Sequence, residues 1–367
     1  MPIGMSESSR LDSVDVLRGI TIAGMIVVND PGTWSAVYPP LLHAEWHGWT
    51  YTDTIFPFFL FVVGVSLVLS FARQRRDGAS DGALFRRTAV RAAMLVGLGL
   101  ALNFVSFLAF HKTHMRFPGV LQRIGLCVLL AGAILAWRGA RAAAAAAGVL
   151  LLGYWALMGA GPLDSQGNLA ARIDSGVFGP HTWKPGWDPE GLLSTLPAIA
   201  TTLCGAVAGA RLRAPLPSSR KMAELLACGA AAAGLGFLWG RAFPINKNLW
   251  TSSYALAMAG LGAMALAFCY WAIDVRGWKR LAAPFVWLGR NAIAAFTLST
   301  LTAILLIAVH TEGPDGKPRS LWTAIHRTLF DRFSDPRLGS LAFALAYLAL
   351  WVAVFGVLYR RRVFFKI

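Results

Sequence analysis

The chain has 367 residues, 56% of them hydrophobic and 14% charged, with a mean hydropathy of +0.56 and a formal net charge of +16. So apolar a composition excludes an ordinary soluble globular domain and points to a polytopic membrane protein. The basic excess does not indicate nucleic acid, because Lys and Arg are scattered over loop ends and not gathered on one soluble face.

Apolar runs close to the ~20 residues that cross ~30 Å of hydrocarbon lie, in chain order, at 17–28, 54–72, 88–110, 119–137, 142–160, 192–210, 222–240, 249–273, 285–309 and 338–359. These ten runs predict an all-α polytopic membrane protein, a bundle of about ten transmembrane helices forming a single integral membrane domain over residues 1–367. No soluble domain, long linker or internal repeat interrupts them. The first run is short and has to borrow flanking residues. It ends at Asn29, Asp30, Pro31 and Gly32 with no small-residue cleavage site, so it is expected to stay as a helix and not to be removed as a leader. Cys127, Cys204, Cys228 and Cys269 lie in apolar runs without a close pair, which argues against a disulfide framework and against a thiolate metal site; no metal is expected.

Lys and Arg in short loops are retained on the cytoplasmic side during insertion. With the N-terminus inside, the inside segments hold 21 of the 34 Lys and Arg, the outside segments hold 11, and Arg123 and Arg290 fall within runs. An even number of spans then puts both termini in the cytoplasm. The long outside loops, 29–53, 161–190 and 310–337, are rich in Gly, Pro and polar residues. All seven histidines (His43, His47, His111, His114, His181, His310 and His326) fall in or beside outside segments. Wet loops tolerate histidine, and an outward-facing reaction site also collects it.

The densest polar block is 29–53. His43 lies near Glu45 and Asp53, carboxylates able to fix an imidazole tautomer and raise its basicity, as a general base or acyl-accepting nucleophile requires. The bland alternative is an interfacial histidine that caps a helix; a metal reading of His43 and His47 lacks further ligands. Asn29 can donate to a developing oxyanion, and Asp30 can orient His43 or receive an ammonium group; both also read as a helix end followed by a turn. Asp53 equally suits an N-cap. Asp188 and Glu190 open the sixth run on the same face and can meet a cationic substrate. Asn246, Lys247 and Asn248 with Trp250 form a polar turn of the kind that recognises sugar or phosphate. Trp34, Trp46, Trp49, Trp183 and Trp187 are either an interfacial belt or a sugar-stacking platform. Arg116 precedes the fourth run, and Arg123, Arg290 and Asn291 sit within runs, where an arginine without an evident acidic partner suggests an anionic ligand in the bundle.

In this order the blocks resemble heparan-α-glucosaminide N-acetyltransferases and their bacterial relatives, membrane enzymes that use acetyl-CoA. The resemblance covers nearly the whole chain: Arg10, Leu11, Ser13, Val14, Asp15, Arg18 and Gly19; Val28 and Asn29; His43, Ala44, Trp46 and Gly48; Asp53, Phe56 and Pro57. It continues through Arg116 and Pro118 to Arg123, Asp188 to Gly191, Pro244 with Asn246 to Trp250, and Phe365, Lys366 and Ile367. It implies transfer of acetyl from cytosolic acetyl-CoA to the amine of a glucosamine on the far side of the membrane. His43, Asn29 and Asp53 are then the catalytic group, Asp30, Trp46, Asp188, Glu190, Asn246 and Asn248 meet the sugar, and Arg116, Arg123, Lys247, Arg290 and Asn291 meet the coenzyme. Compared with the lysosomal enzyme, no lumenal domain precedes the first matched run, the 161–190 loop is shorter, and Glu45 and His47 replace small or neutral residues. The expectation is a multi-pass enzyme of a bacterial inner membrane acting on glucosamine or short amino-sugar fragments, as a monomer or a homodimer. The competing reading is an amino-sugar transporter that binds with the same groups and makes no bond.

Overall fold

The computed structural model describes residues 11–165, 167–313 and 316–365; Arg10, Lys366 and Ile367 of the resemblance lie outside the described residues. Helix α1 (Asp12–Asn29) is followed by the polar block, which contains one 3-10 turn, Pro39–Leu41. Then come α2 (Thr52–Arg76), α3 (Asp81–Ala109), α4 (Val120–Trp137), α5 (Gly139–Met158), a short α6 (Leu169–Phe178), α7 (Thr195–Arg213), α8 (Ser218–Trp239) and α9 (Ser252–Cys269), extended by a π turn, Tyr270–Val275. The last part comprises α10 (Lys279–Arg290), α11 (Ala292–Ala308), a small antiparallel hairpin of β1 (His310–Glu312) and β2 (Pro318–Ser320), α12 (Leu321–Phe330) and α13 (Pro336–Arg360). The all-α, polytopic expectation is met, and each of the ten apolar runs falls on a helix or a helix pair.

Among the described residues, α2, α3, α4, α5, α7, α8, α9 with its π extension, and α13 are each long and apolar enough to cross a membrane. The ninth run is not one straight helix: α10 and α11 meet at 75° across Asn291. Helix α1 falls outside that set because Asp12, Asp15 and Arg18 occupy its first two turns. Two short helices, α6 and α12, occupy the 161–190 and 310–337 loops, which the sequence left irregular. Both have an apolar stripe on one side, and each starts from a side-chain cap, Asn168 and Ser320.

Helices α2, α4, α7 and α9 bury most of their length, whereas α3, α5, α8 and α13 turn broad apolar faces outward. In lipid there is little hydrophobic drive between helices, so small residues that let backbones touch supply the packing. An added Cβ at Gly64 of α2 would stand 1.8 Å from the Thr202 carbonyl oxygen of α7, and one at Gly205 of α7 would stand 1.9 Å from that of Phe61. Gly19 of α1 against Phe285 of α10, and Gly260 of α9 against Ala233 of α8, repeat the device. The tight α2–α7 contact brings the N-terminal ends of both helices to one face, where the first turns of α4 and α9 join them.

Replacing Gly64 by Leu should force α2 and α7 apart at a cost of about 1–3 kcal/mol or more, seen as a lowered unfolding midpoint in detergent. Gly148→Leu, where nothing lies within 4 Å of the added atom, should leave that midpoint nearly unchanged; equal midpoints would contradict the close crossing.

Candidate active site

Asp53 stands in the first turn of α2, where free backbone N–H groups and the positive helix end favour a carboxylate. It is 1% exposed. One carboxylate oxygen lies 2.6 Å from His43 Nδ1; the other accepts from the Ala44 amide (3.1 Å), the Thr50 amide (2.9 Å) and the Thr50 hydroxyl (3.2 Å). Asp53 is thus the acceptor throughout, so His43 donates from Nδ1 and leaves Nε2 outside this bond. The His43 side chain is 48% exposed. A buried carboxylate holding an exposed imidazole in one orientation is the arrangement a general base requires.

The polar block is tied to the turn before α9. Gly48, at a φ of +98°, donates its N–H to the Ile245 carbonyl (2.7 Å), and the Asn246 amide nitrogen lies 3.3 Å from His47 Nδ1. Asn246 is fully buried and also accepts from the Leu249 N–H (2.8 Å). The turn delivers Trp250 to the interior in a left-handed conformation, φ +50°, rare for so bulky a residue. Its ring stands edge-on to Phe56 (5.2 Å) and Tyr254 (5.4 Å), and its N–H reaches the Thr201 hydroxyl (3.2 Å).

Beside this aromatic group lies a buried ionic network. Arg116 donates to both oxygens of Asp188 (2.8 and 2.6 Å) and to Glu190 (2.5 Å), with Trp183 across its guanidinium at 5.1 Å. Burial raises the Glu190 pKa, but Arg116, Lys247 and Arg123 overcome it and hold the carboxyl down at about 2. Arg123, 1% exposed, donates to the Gly191 carbonyl (3.0 Å) and the Ser194 hydroxyl (2.5 Å) and packs 5.2 Å from the Trp250 ring. Its Nε and Nη1 have no hydrogen-bond partner among the described residues.

Further along α2 a cavity of about 140 Å³ opens among α1, α2, α3, α4 and the α10–α11 break. Arg18, Arg91, Arg290 and Asn291 line it together with Phe59, Ser66 and Phe365. Arg18 reaches Asp15 (3.1 Å) and Ser66 (2.5 Å), while the buried Nε of Arg91 makes no hydrogen bond among the described residues.

A family model described as "Heparan-alpha-glucosaminide N-acetyltransferase, catalytic" matches residues 10–233, more than half of the chain. The chain belongs to this family. Proteins named heparan-alpha-glucosaminide N-acetyltransferase from Homo sapiens and Mus musculus are each 26% identical to it, over 98% and 99% of this chain and 60% and 61% of their own lengths. The chain therefore spans about 60% of the length of the curated relatives it matches.

Within this N-acetyltransferase family member the expected site residues divide. His43 and Asp53 meet directly, and Asp53, not Asp30, orients the imidazole. Asn29 is exposed at the end of α1. Asp30 is buried, its carboxyl pushed up to about 8 by burial, and the turn after it is tied to α12 and α13 through the Trp322 N–H to the Pro31 carbonyl (3.1 Å) and the Gly32 N–H to the Ser340 carbonyl (3.2 Å). Trp46 donates to the Leu163 carbonyl (2.7 Å) and stands edge-on to Trp187 (5.8 Å). Lys247 and Asn248 are half-buried in the turn that carries Asn246. Arg116, Asp188 and Glu190, expected to meet opposite ligands, bind one another. The expectation that Arg290 lacks acidic partners is corrected: it faces Asp12 (3.7 Å) and Asp15 (3.6 Å), brought to it by the α1–α10 contact. The Asn291 side chain holds the segment after α13, donating to the Val363 carbonyl (3.3 Å) and accepting from the Phe365 N–H (2.9 Å).

Sequence reasoning passed over Tyr254, the lining role of Arg18 and Arg91, and Asp174 of α6. Asp174 is 1% exposed and accepts from the Leu192 N–H (2.8 Å), at the loop that supplies the Arg123 acceptors. Burial raises its carboxyl pKa to about 6, against the Leu192 bond that lowers it. Ionisation of Asp174 therefore opposes folding, fully above pH ~6 and not at all below its unfolded value of ~3.9. Asp174→Asn should gain stability relative to the wild type at pH 7 and lose that advantage as the pH falls from about 6 towards 4. Unfolding midpoints of both proteins across that window check it, and a difference independent of pH would contradict it.

Proposed function

We propose that this protein transfers an acetyl group from acetyl-CoA to the amine of a glucosamine-type sugar across the membrane, with His43 as the general base. The observation that carries the reading is the His43 imidazole fixed on the buried Asp53 at 2.6 Å with its second nitrogen directed away from that bond. That nitrogen takes a proton from the amine as the amine attacks the thioester carbonyl. The carbon–nitrogen bond forms, the carbon–sulfur bond breaks, and the protonated His43 returns that proton to the departing sulfur, so coenzyme A leaves as the thiol. Family membership supports the donor, and the printed names of the human and mouse relatives support the acceptor class.

The arginine-lined cavity supports a route for the donor from the opposite side. Its first α2 residue, Phe59, lies six positions from Asp53, and its last, Ser66, thirteen. At about 1.5 Å per residue this sets the cavity roughly 9 to 20 Å along the helix from the dyad, a separation that an extended pantetheine arm spans. Arg18, Arg91 and Arg290 are the groups that would meet phosphate there, by charge-assisted hydrogen bonds. The inner membrane of a bacterium, with basic loops and both termini in the cytoplasm and His43 on the periplasmic side, is the setting that fits this direction of transfer.

Purified protein in detergent, given acetyl-CoA and glucosamine, should release thiol. His43→Ala should lower that rate by about 10²–10⁴-fold, and a variant with full turnover would refute the assignment. Arg91→Ala should weaken coenzyme A binding about tenfold or more, the scale of one charged hydrogen bond. Calorimetry with coenzyme A checks this; unchanged affinity would remove the cavity from the donor route.

A further inference from the structure

Proline at position 57 leaves a backbone acceptor open beside the dyad. In an α-helix the carbonyl of residue 53 takes the N–H of residue 57; Pro57 lies inside α2, has no N–H, and its ring crowds that same carbonyl. The acceptor left over belongs to Asp53, the residue that orients His43. It is filled from another helix: the Tyr254 hydroxyl, in the first turn of α9, donates to the Asp53 carbonyl oxygen at 2.5 Å. Tyr254 is fully buried, and its ring is held edge-on by Trp250, whose own place is fixed by Phe56, by the Thr201 hydroxyl and by its left-handed backbone.

We infer that Tyr254 is a positioning residue for the acetyl transfer proposed above: its hydroxyl replaces the amide that Pro57 does not supply, and so sets where Asp53 and His43 stand. The inference rests on that function reading only for its kinetic consequence. An ordinary helix would satisfy the Asp53 carbonyl internally and leave the start of α2 unanchored to α9. With proline at 57, the first turn of α2 is pinned to α9 at the level of the dyad, and through Trp250 to the layer that holds Arg123. Losing the hydroxyl leaves a buried carbonyl unsatisfied and frees the turn to shift. No group that touches substrate is removed.

The test is Tyr254→Phe alone and combined with Pro57→Ala, which restores an N–H at position 57. The single variant should lose about tenfold in kcat, the scale of one buried hydrogen bond, with the KM for acetyl-CoA changed by less than about twofold. The double variant should recover most of that loss. In protein labelled with 15N-histidine, the Nδ1 proton of His43 on Asp53 should shift in the single variant and return in the double. Wild-type turnover and an unchanged His43 signal in Tyr254→Phe, or a double variant no better than the single, overturns the inference. A single variant that unfolds beside a double variant that folds supports it, and unfolding of both overturns it. If the wild type transfers no acetyl, the function reading fails while the His43 signal still decides the positioning.

Discussion

A carboxylate with almost no exposed surface, placed where α2 enters the membrane, has to be met by donors or it destabilises the fold. Asp53 meets that requirement with His43 Nδ1, two backbone amides and a threonine hydroxyl, all drawn from the segment just before it. The need to satisfy one buried group thus folds the polar block back over the start of its own helix. The imidazole comes out of this fixed in orientation, half-exposed and with its second nitrogen outside the Asp53 bond. Local stability and the proposed chemistry then have the same cause.

The surroundings extend that logic through the bilayer. The starts of α2, α4, α7 and α9 lie at one face, with α2 and α7 held together by tight glycine crossings. Their loops supply the Arg116–Asp188–Glu190 cluster and the Asn246 turn, both of which occupy their polar groups with one another. Such paired charges act as framework. Among the described residues, three arginines keep a buried donor without a hydrogen bond: Arg123 beside Trp250, and Arg91 and Arg290 at the cavity. Buried cations with open donors suit an anionic visitor, and the acetyl donor proposed above carries phosphates.

How much of this the sequence discloses depends on the range of the interaction. Ten apolar runs declare the helices, and the dense block from Asn29 to Asp53 holds the pair on which the proposed site is built, because composition and local order are enough for both. His43 and Asp53 lie only ten residues apart, one in the polar block and the other in the first turn of α2, so their pairing is a short-range matter. Asp12 and Asp15 reach Arg290 only through the α1–α10 packing, which is why that arginine reads as unpaired in the sequence. The 75° break at Asn291 is equally silent, since hydropathy reports apolarity and not direction. Tyr254 carries no motif; its sign is Pro57, a proline four residues after Asp53, which shows that a carbonyl needs a donor without showing which residue provides it. Helices α6 and α12 hide in loops because ten residues of amphipathic helix bear little contrast to a polar turn.

The proposed transfer requires one ligand that connects the arginine cavity with the histidine. A structure of the protein with coenzyme A bound, determined in a lipid nanodisc, tests this most directly. It should show phosphate oxygens against Arg18, Arg91 or Arg290 and the thiol end within hydrogen-bonding reach of His43 Nε2. Coenzyme A seated elsewhere, or a thiol separated from that nitrogen by packed side chains, would contradict it.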